Sequence, residues 1–422
     1  KEFKNIELDL SEFDAIKYKS YKELKDKFTD EELQKLTNKR NRKVRDLNYA
    51  WMDKLSEPKA LLREKMTLFW ANVFVCRDND VFFIQDYNNT LRKYALGDFR
   101  VFVKQIAKQP SMLKYLNNKQ NKKRKPNENF ARELMELFTL GVGNYTEQDI
   151  QESARAFTGW THKKNGDFYL QKSQHDFGEK TFFGKTGNFD GDDIIDIILE
   201  QKQCARFICD KIYRYFINPK VDEKRLEEIT NIFYKDYNIS NLMEHIFTSK
   251  WFYNDDNIGV KIKSPIELLV GIQKVVPVTF DKKQQLNYLQ KMMGQTLLYP
   301  DNVAGWKGGK SWIDSNTLMF RMKLPSLLLS NAIINIEEKG EFEDSFEKYY
   351  KGEKQRNKYL KITKNWEFFD KQNQNLSSKE LIDLLILSKL DKDTATFLEN
   401  LEIKSNRNFC VQLMSIPEYQ LC

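Results

Sequence analysis

The chain has 422 residues, 41% hydrophobic and 13% aromatic, ample for a large core; nine prolines and seventeen glycines argue against a loop-dominated or low-complexity chain. Its 69 basic and 61 acidic residues leave a net charge of +8, compatible with nucleic acid, anionic lipid or acidic polysaccharide and selecting none of them. No apolar run approaches the ~18–20 residues that span a bilayer, since the best stretch, 266–278, is interrupted by Glu267 and Lys274.

Residues 1–37 are charged and loosely patterned, which suggests short peripheral helices. Position 1 is Lys1 and not Met, which reads as a processed or trimmed product with any targeting peptide removed. Lys39-Arg40-Asn41-Arg42-Lys43-Val44-Arg45 is a basic run, read as a solvated helix face or an anion contact. Trp51, Leu55, Leu61, Leu62, Met66, Phe69 and Trp70 then recur with helical period, and a second helical pattern spans 91–107. Residues 119–126 form a basic loop.

The stretch Asn127-Glu128-Asn129-Phe130-Ala131-Arg132-Glu133-Leu134-Met135-Glu136-Leu137-Phe138-Thr139-Leu140-Gly141 comes next. At about 100° per residue, Phe130, Ala131, Leu134, Met135, Leu137 and Phe138 share one arc. Asn129, Arg132, Glu133 and Glu136 share the opposite one. The apolar arc predicts a helix buried on one side. The polar arc has two readings: a solvated face with an Arg132–Glu136 contact one turn apart, or an inward cluster of amide, guanidinium and carboxylates lining a site.

Beyond Gly141, Thr146 and Asp149 form a variant capping box opening a helix through Ile150, Ala154 and Phe157. Asn165-Gly166 between short alternating runs signals a hairpin, and Phe168, Tyr169, Phe182 and Phe183 extend a small β excursion to about Asp190. Helices resume from Asp192 and continue through the last third, with Ser377 and Glu380 as another capping box. The exception is a Gly/Trp-rich loop over 300–312. With no repeat and no long linker, the pattern predicts a mostly α protein: a single large helical body with a small β-hairpin insertion. It divides into a peripheral segment 1–46, a helical core 47–160, the β insertion 161–191 and a C-terminal helical part 192–422.

Candidate chemistry is sparse. The three histidines, His162, His175 and His245, form no HExxH or His-x₃-His arrangement. His175-Asp176 is the best pair, although adjacent side chains often point apart. Five cysteines without a Cys-x-x-Cys pair argue against a disulfide framework or zinc knuckle. No nucleophile elbow or phosphate-binding glycine motif is present, and Gly305-Trp306-Lys307-Gly308-Gly309 lacks the strand–loop–helix context for phosphate. The basic runs carry few aromatics, so nucleic acid is not an expected partner.

The run from Pro126 to Phe138 closely resembles the signature of a bacterial family, domain of unknown function 1800. Ala95-Leu96-Gly97-Asp98-Phe99-Arg100, Tyr145-Thr146-Glu147-Gln148-Asp149-Ile150, Ala154-Arg155-Ala156-Phe157-Thr158-Gly159-Trp160, His175-Asp176-Phe177-Gly178, Lys263-Ser264-Pro265-Ile266-Glu267, Gly305-Trp306 and Pro417-Glu418-Tyr419 match as well. The resemblance implies a mostly helical, exported protein, in the periplasm or at the cell surface. Its implied protein partner is an alkaline-phosphatase/sulfatase-like protein or an outer-membrane component. The family commonly reads Phe-Trp-His-x-His-Phe where this chain has Phe69-Trp70-Ala71-Asn72-Val73-Phe74. Paired histidines beside Asn129, Glu133 and Glu136 would suit a metal, but Ala71 and Val73 cannot ligate one, so neither a metal nor another cofactor is expected.

Two functions follow as expectations. The first is a non-catalytic binding or assembly protein of an envelope or cell-surface complex, with Asn129, Asn72, Asp176 and Trp306 set out for binding. The second is a metal- or carboxylate-dependent hydrolase acting on a cell-surface polymer or protein, with Glu133 or Glu136 as general base and Arg132 and His175 as electrostatic or acid partners.

Overall fold

The computed structural model describes residues 3–330 and 360–422. The chain is mostly α-helical, with three two-stranded antiparallel sheets among the described residues. Contacts gather it into two compact units, Lys1–Phe252 with Leu297–Trp306, and Tyr253–Thr296 with Lys307–Cys422. Neither unit ends at residue 46, 160 or 191. The segment Leu297–Trp306 belongs to the first unit although its flanks belong to the second, so no separating linker marks the division in the sequence.

In the first unit, α1 (Tyr21–Lys25) and α2 (Asp30–Ser56) both open on capping boxes, Ser20 with Glu23 and Thr29 with Glu32. Helix α2 runs unbroken for 27 residues across the boundary expected at 46. Its second half buries Val44, Leu47, Trp51, Met52 and Leu55. The basic run in its middle is held by acids: Lys39 and Lys43 pair with Glu12, and Arg40 lies 3.4 Å from Asp80. The loosely patterned start is thereby fastened to the core helix.

Helices α3 (Leu61–Val73), α4 (Val81–Tyr94), α5 (Phe99–Ala107) and α6 (Pro110–Tyr115) follow. Trp70 stands at the centre of a ring cluster, 5.6 Å from Phe74 and 5.3 Å from Phe102, with Phe74 5.6 Å from Phe138. Its indole N–H donates to the Ala95 carbonyl at 3.0 Å, so the ring is buried without orphaning its donor. A fully buried ion pair joins α3 to α4, Arg92 Nε to Glu64 Oε1 at 2.6 Å and Nη2 to Oε2 at 3.1 Å.

Helix α7 (Asn129–Glu133) passes directly into a π-helix, Leu134–Thr139, and α8 (Glu147–Ala156) begins at the expected Thr146–Asp149 capping box. The β insertion also lies where expected. Strand β1 (Trp160–His162) pairs with β2 (Phe168–Leu170), and β3 (Lys180–Phe182) with β4 (Lys185–Gly187). Gly166 in the first turn has φ +91°, the left-handed conformation for which Asn-Gly is suited. Helices α9 (Gly191–Glu200), α10 (Lys202–Phe216), α11 (Glu223–Asp236) and α12 (Ile239–Thr248) complete the unit, burying Ile208, Ile212, Ile229 and Phe233 at helical spacing.

The second unit contains α13 (Pro265–Val275), α14 (Gln284–Met292), α15 (Ser315–Leu329), α16 (Trp366–Asn373), α17 (Ser378–Leu385), α18 (Lys392–Glu399) and α19 (Asn406–Met414). Capping boxes at Ser264–Glu267 and Ser377–Glu380 start α13 and α17. Strand β5 (Val278–Phe280) pairs with β6 (Ile362–Lys364), a sheet with no local sequence signal because its strands are short and far apart in the chain. The expected helical continuation over 331–359 lies outside the described residues. Among the described residues no helix is long and apolar enough to cross a membrane.

Candidate functional site

The site is built on α7 and the π-helix that extends it. Phe130, Ala131, Leu134, Met135 and Phe138 are buried as the apolar arc predicts, while Leu137 of the same arc is only half-buried; Phe130 is edge-on to Phe157 and Phe138 edge-on to Phe74. In a regular α-helix residues eight apart diverge by about 80°. A wider π turn rotates less per residue and reduces that divergence, so both rings reach their partners. The backbone shows the change: Leu140 N–H donates to the Met135 carbonyl at 2.8 Å, five residues back, while the Thr139 hydroxyl takes the Leu134 carbonyl at 2.6 Å. Gly141 ends the element at φ +84°, where a Cβ would stand 2.9 Å from the Phe207 ring.

On the polar side, Arg132 forks onto Glu147 (3.0 and 2.9 Å) and reaches back to Glu128 at 3.2 Å. The expected Arg132–Glu136 contact is therefore not formed. Helical side chains lean toward the N-terminus and an acid four residues before a base is the better order, which favours Glu128 over Glu136. Glu136 instead accepts the Tyr145 hydroxyl at 2.9 Å. Burial first, then that bond, pushes the Tyr145 phenol up to about 12. Asn129, the first residue of α7, is exposed, which corrects the expectation of an inward amide there.

Glu133 is the chemically distinctive member. It is half-buried, and burial raises its carboxyl pKa above the ordinary value. The neighbouring Glu136 charge adds to the rise, against a smaller opposing pull from Arg132. Tyr115 is close enough for its phenol, raised by burial and by Cys76, to register the Glu133 charge too. Glu133 and Glu136 are set out by helical spacing, Tyr145 joins them through its bond to Glu136, and Tyr115 enters only through its charge interaction with Glu133. The tyrosines come from a turn and from the end of α6, positions that no periodicity connects to α7.

The other candidates lie elsewhere. His175 is buried with Nδ1 bonded to the Thr158 carbonyl at 2.7 Å, just past the C-terminus of α8. Glu147, which holds Arg132, is the first residue of that helix, roughly 15 Å away by helical rise. Asp176 turns from its neighbour to accept Arg155 Nε at 2.7 Å, and its pKa is lowered by that guanidinium and the Gly178 N–H against the opposing effect of burial. Asn72 brackets the backbone of Trp306, accepting its N–H at 2.7 Å and donating to its carbonyl at 3.2 Å. Gly305 makes this possible: it has φ +79°, and a Cβ there would sit 2.3 Å from Asn72 Oδ1. Trp306 itself is buried, as are Ala71 and Val73. Among the described residues no three His, Cys, Asp or Glu side chains are grouped to hold a metal ion.

The profile of the family described as protein of unknown function, DUF1800, matches residues 4–421. The chain belongs to the DUF1800 family. No curated protein and no solved structure matches it. Within this DUF1800 protein the blocks that carry the resemblance fall at joints of the fold: the π-helix, the α8 cap, the Thr158–His175 link and the Asn72–Gly305–Trp306 bracket.

Proposed function

We propose that this DUF1800 protein is an extracytoplasmic, non-catalytic binding or assembly component of an envelope or cell-surface complex. Export and a protein partner, an alkaline-phosphatase/sulfatase-like protein or an outer-membrane component, rest on the family resemblance. The observation carrying the non-catalytic reading is the separate engagement of the side chains that chemistry would need together. Arg132 is held by two glutamates, His175 by a backbone carbonyl at the opposite end of α8, Asp176 by Arg155 and Asn72 by the Trp306 backbone. The decisive experiment is Glu133→Gln with Glu136→Gln in the native host. Intact assembly and unchanged cellular function support the proposal; loss of a turnover with assembly intact overturns it, as does one tightly bound equivalent of transition metal by elemental analysis.

A hydrolase is the second reading, and the raised Glu133 carboxyl beside Glu136 and Tyr145 is what favours it. A carboxyl that keeps its proton to higher pH suits general acid–base work. On this reading a cell-surface polymer or protein is the substrate, and its hydrolysis disappears in Glu133→Gln.

A further inference from the structure

A concave site in the first unit shares no residue with the Glu133–Glu136 face. It is a cleft of about 690 Å³ between the extended N-terminal segment, α4, the α5–α6 junction and the β1–β2 turn. That volume lies within the roughly 300–1,000 Å³ of small-ligand sites, whose linings are usually apolar. This lining is not: amides and carboxylates dominate, and Phe168 with Pro110 provides its main hydrocarbon surface.

The walls are fixed by bonds that leave other polar groups free. Asn89 brackets Ile6, accepting its N–H at 2.9 Å and donating to its carbonyl at 2.8 Å, and Gln85 Oε1 accepts Leu8 N–H at 3.0 Å. These bonds pin the N-terminal segment as one wall. Gln109 is oriented by donating to Thr90 Oγ1 at 3.0 Å. Asp167 and Asn165 close the turn on each other at 2.7 Å. Phe168 is set edge-on to Trp160 at 4.9 Å, with the Lys108 ammonium 5.3 Å from its centroid. Gln105 and Asp86 also line the cleft, and among the described residues neither side chain has a hydrogen-bond partner. Surrounding protein raises the Asp86 carboxyl pKa, against the pull of Lys17.

The charges lining the cleft are Glu7, Asp86 and Asp167 against Lys93 and Lys108, and Lys108 is already paired with Asp192 at 2.6 Å. That balance repels a polyanion and offers little to a cation beyond exposed carboxylates. What it fits is a neutral molecule rich in hydroxyls, able to donate to Asp86, exchange hydrogen bonds with Gln105, and lay a C–H face on Phe168. We infer that the cleft binds a neutral oligosaccharide. The inference stands on the cleft alone and is independent of the role proposed above.

The test is isothermal titration calorimetry of the whole chain against neutral tetrasaccharides of glucose, xylose, mannose and N-acetylglucosamine. One of them is expected to bind with a Kd of about 1 mM or tighter. Gln105→Ala and Asp86→Asn, which remove no bond that holds the fold, should each weaken it about three- to tenfold, with an unchanged circular dichroism spectrum. Phe168→Ala should weaken it by more than about tenfold. Glu133→Gln should bind as the native protein does, which separates this site from the α7 face. Absence of binding by the whole panel overturns the inference. So does affinity untouched by Gln105→Ala and Asp86→Asn, or preference for an anionic heparin tetrasaccharide over every neutral one.

Discussion

Replacing Glu64 by Leu removes the partner of a guanidinium that has no access to water. Arg92 is 0% exposed and Glu64 2%, and two charge-assisted bonds join them, at 2.6 and 3.1 Å. Bonds of this type contribute about 1.5–3 kcal/mol each, and stranding one member of a buried pair costs about 3–5 kcal/mol. The third donor, Nη1, remains satisfied by Asn89 Oδ1 at 2.8 Å, which holds the estimate near that range. For a unit of this size, at about 2 °C per kcal/mol, that loss lowers the melting temperature by roughly 6–10 °C. Differential scanning calorimetry measures it. The pair Glu64→Leu with Arg92→Met removes both charges together and should return to within about 1–2 kcal/mol of the native protein. If the double variant is instead as unstable as the two single losses added together, the groups are not coupled and the reasoning fails.

Glu133 makes a pH-dependent prediction. Its folded pKa is raised, so the folded state binds a proton more tightly than the unfolded state does, and stability falls as pH rises through the folded value. Glu133→Gln should therefore raise the melting temperature at pH 7–8, with the gain vanishing on acidification below the ordinary glutamate value; thermal scans at several pH values check this. Gly305→Ala puts a methyl group 2.3 Å from Asn72 Oδ1 at φ +79°, which should cost about 2–4 kcal/mol in urea denaturation and shift the emission of the Trp306 loop. Four of the five free cysteines are buried, and burial pushes the Cys204 thiol up to about 12. An aromatic disulfide reagent at pH 8 should thus titrate Cys422 first and the rest only on unfolding.

The signature helix, the caps at Thr146 and Ser377 and the Asn165-Gly166 hairpin were legible in the sequence because each depends on side chains within a few residues of one another. The helical pattern over 91–107, by contrast, ran across the break between α4 and α5, where Asp98 caps a new helix. Ser377 with Glu380, Thr146 with Asp149, and the apolar arc of Phe130, Leu134 and Phe138 carry their own geometry. The replacement of paired histidines by Ala71 and Val73 was equally plain, since it is a matter of which atoms exist. Tertiary structure alone decided which distant partners the polar groups outside the caps reach. It turned Arg132 onto Glu147, gave Glu136 to Tyr145, gave His175 and Asp176 different side-chain partners, and used Asn72 to hold Trp306. It also inserted the π turn and gathered Gln105, Asp86 and Phe168 around one cleft. Those outcomes depend on which distant segment arrives within about 3 Å of a donor or acceptor, and spacing along one helix carries no information about that.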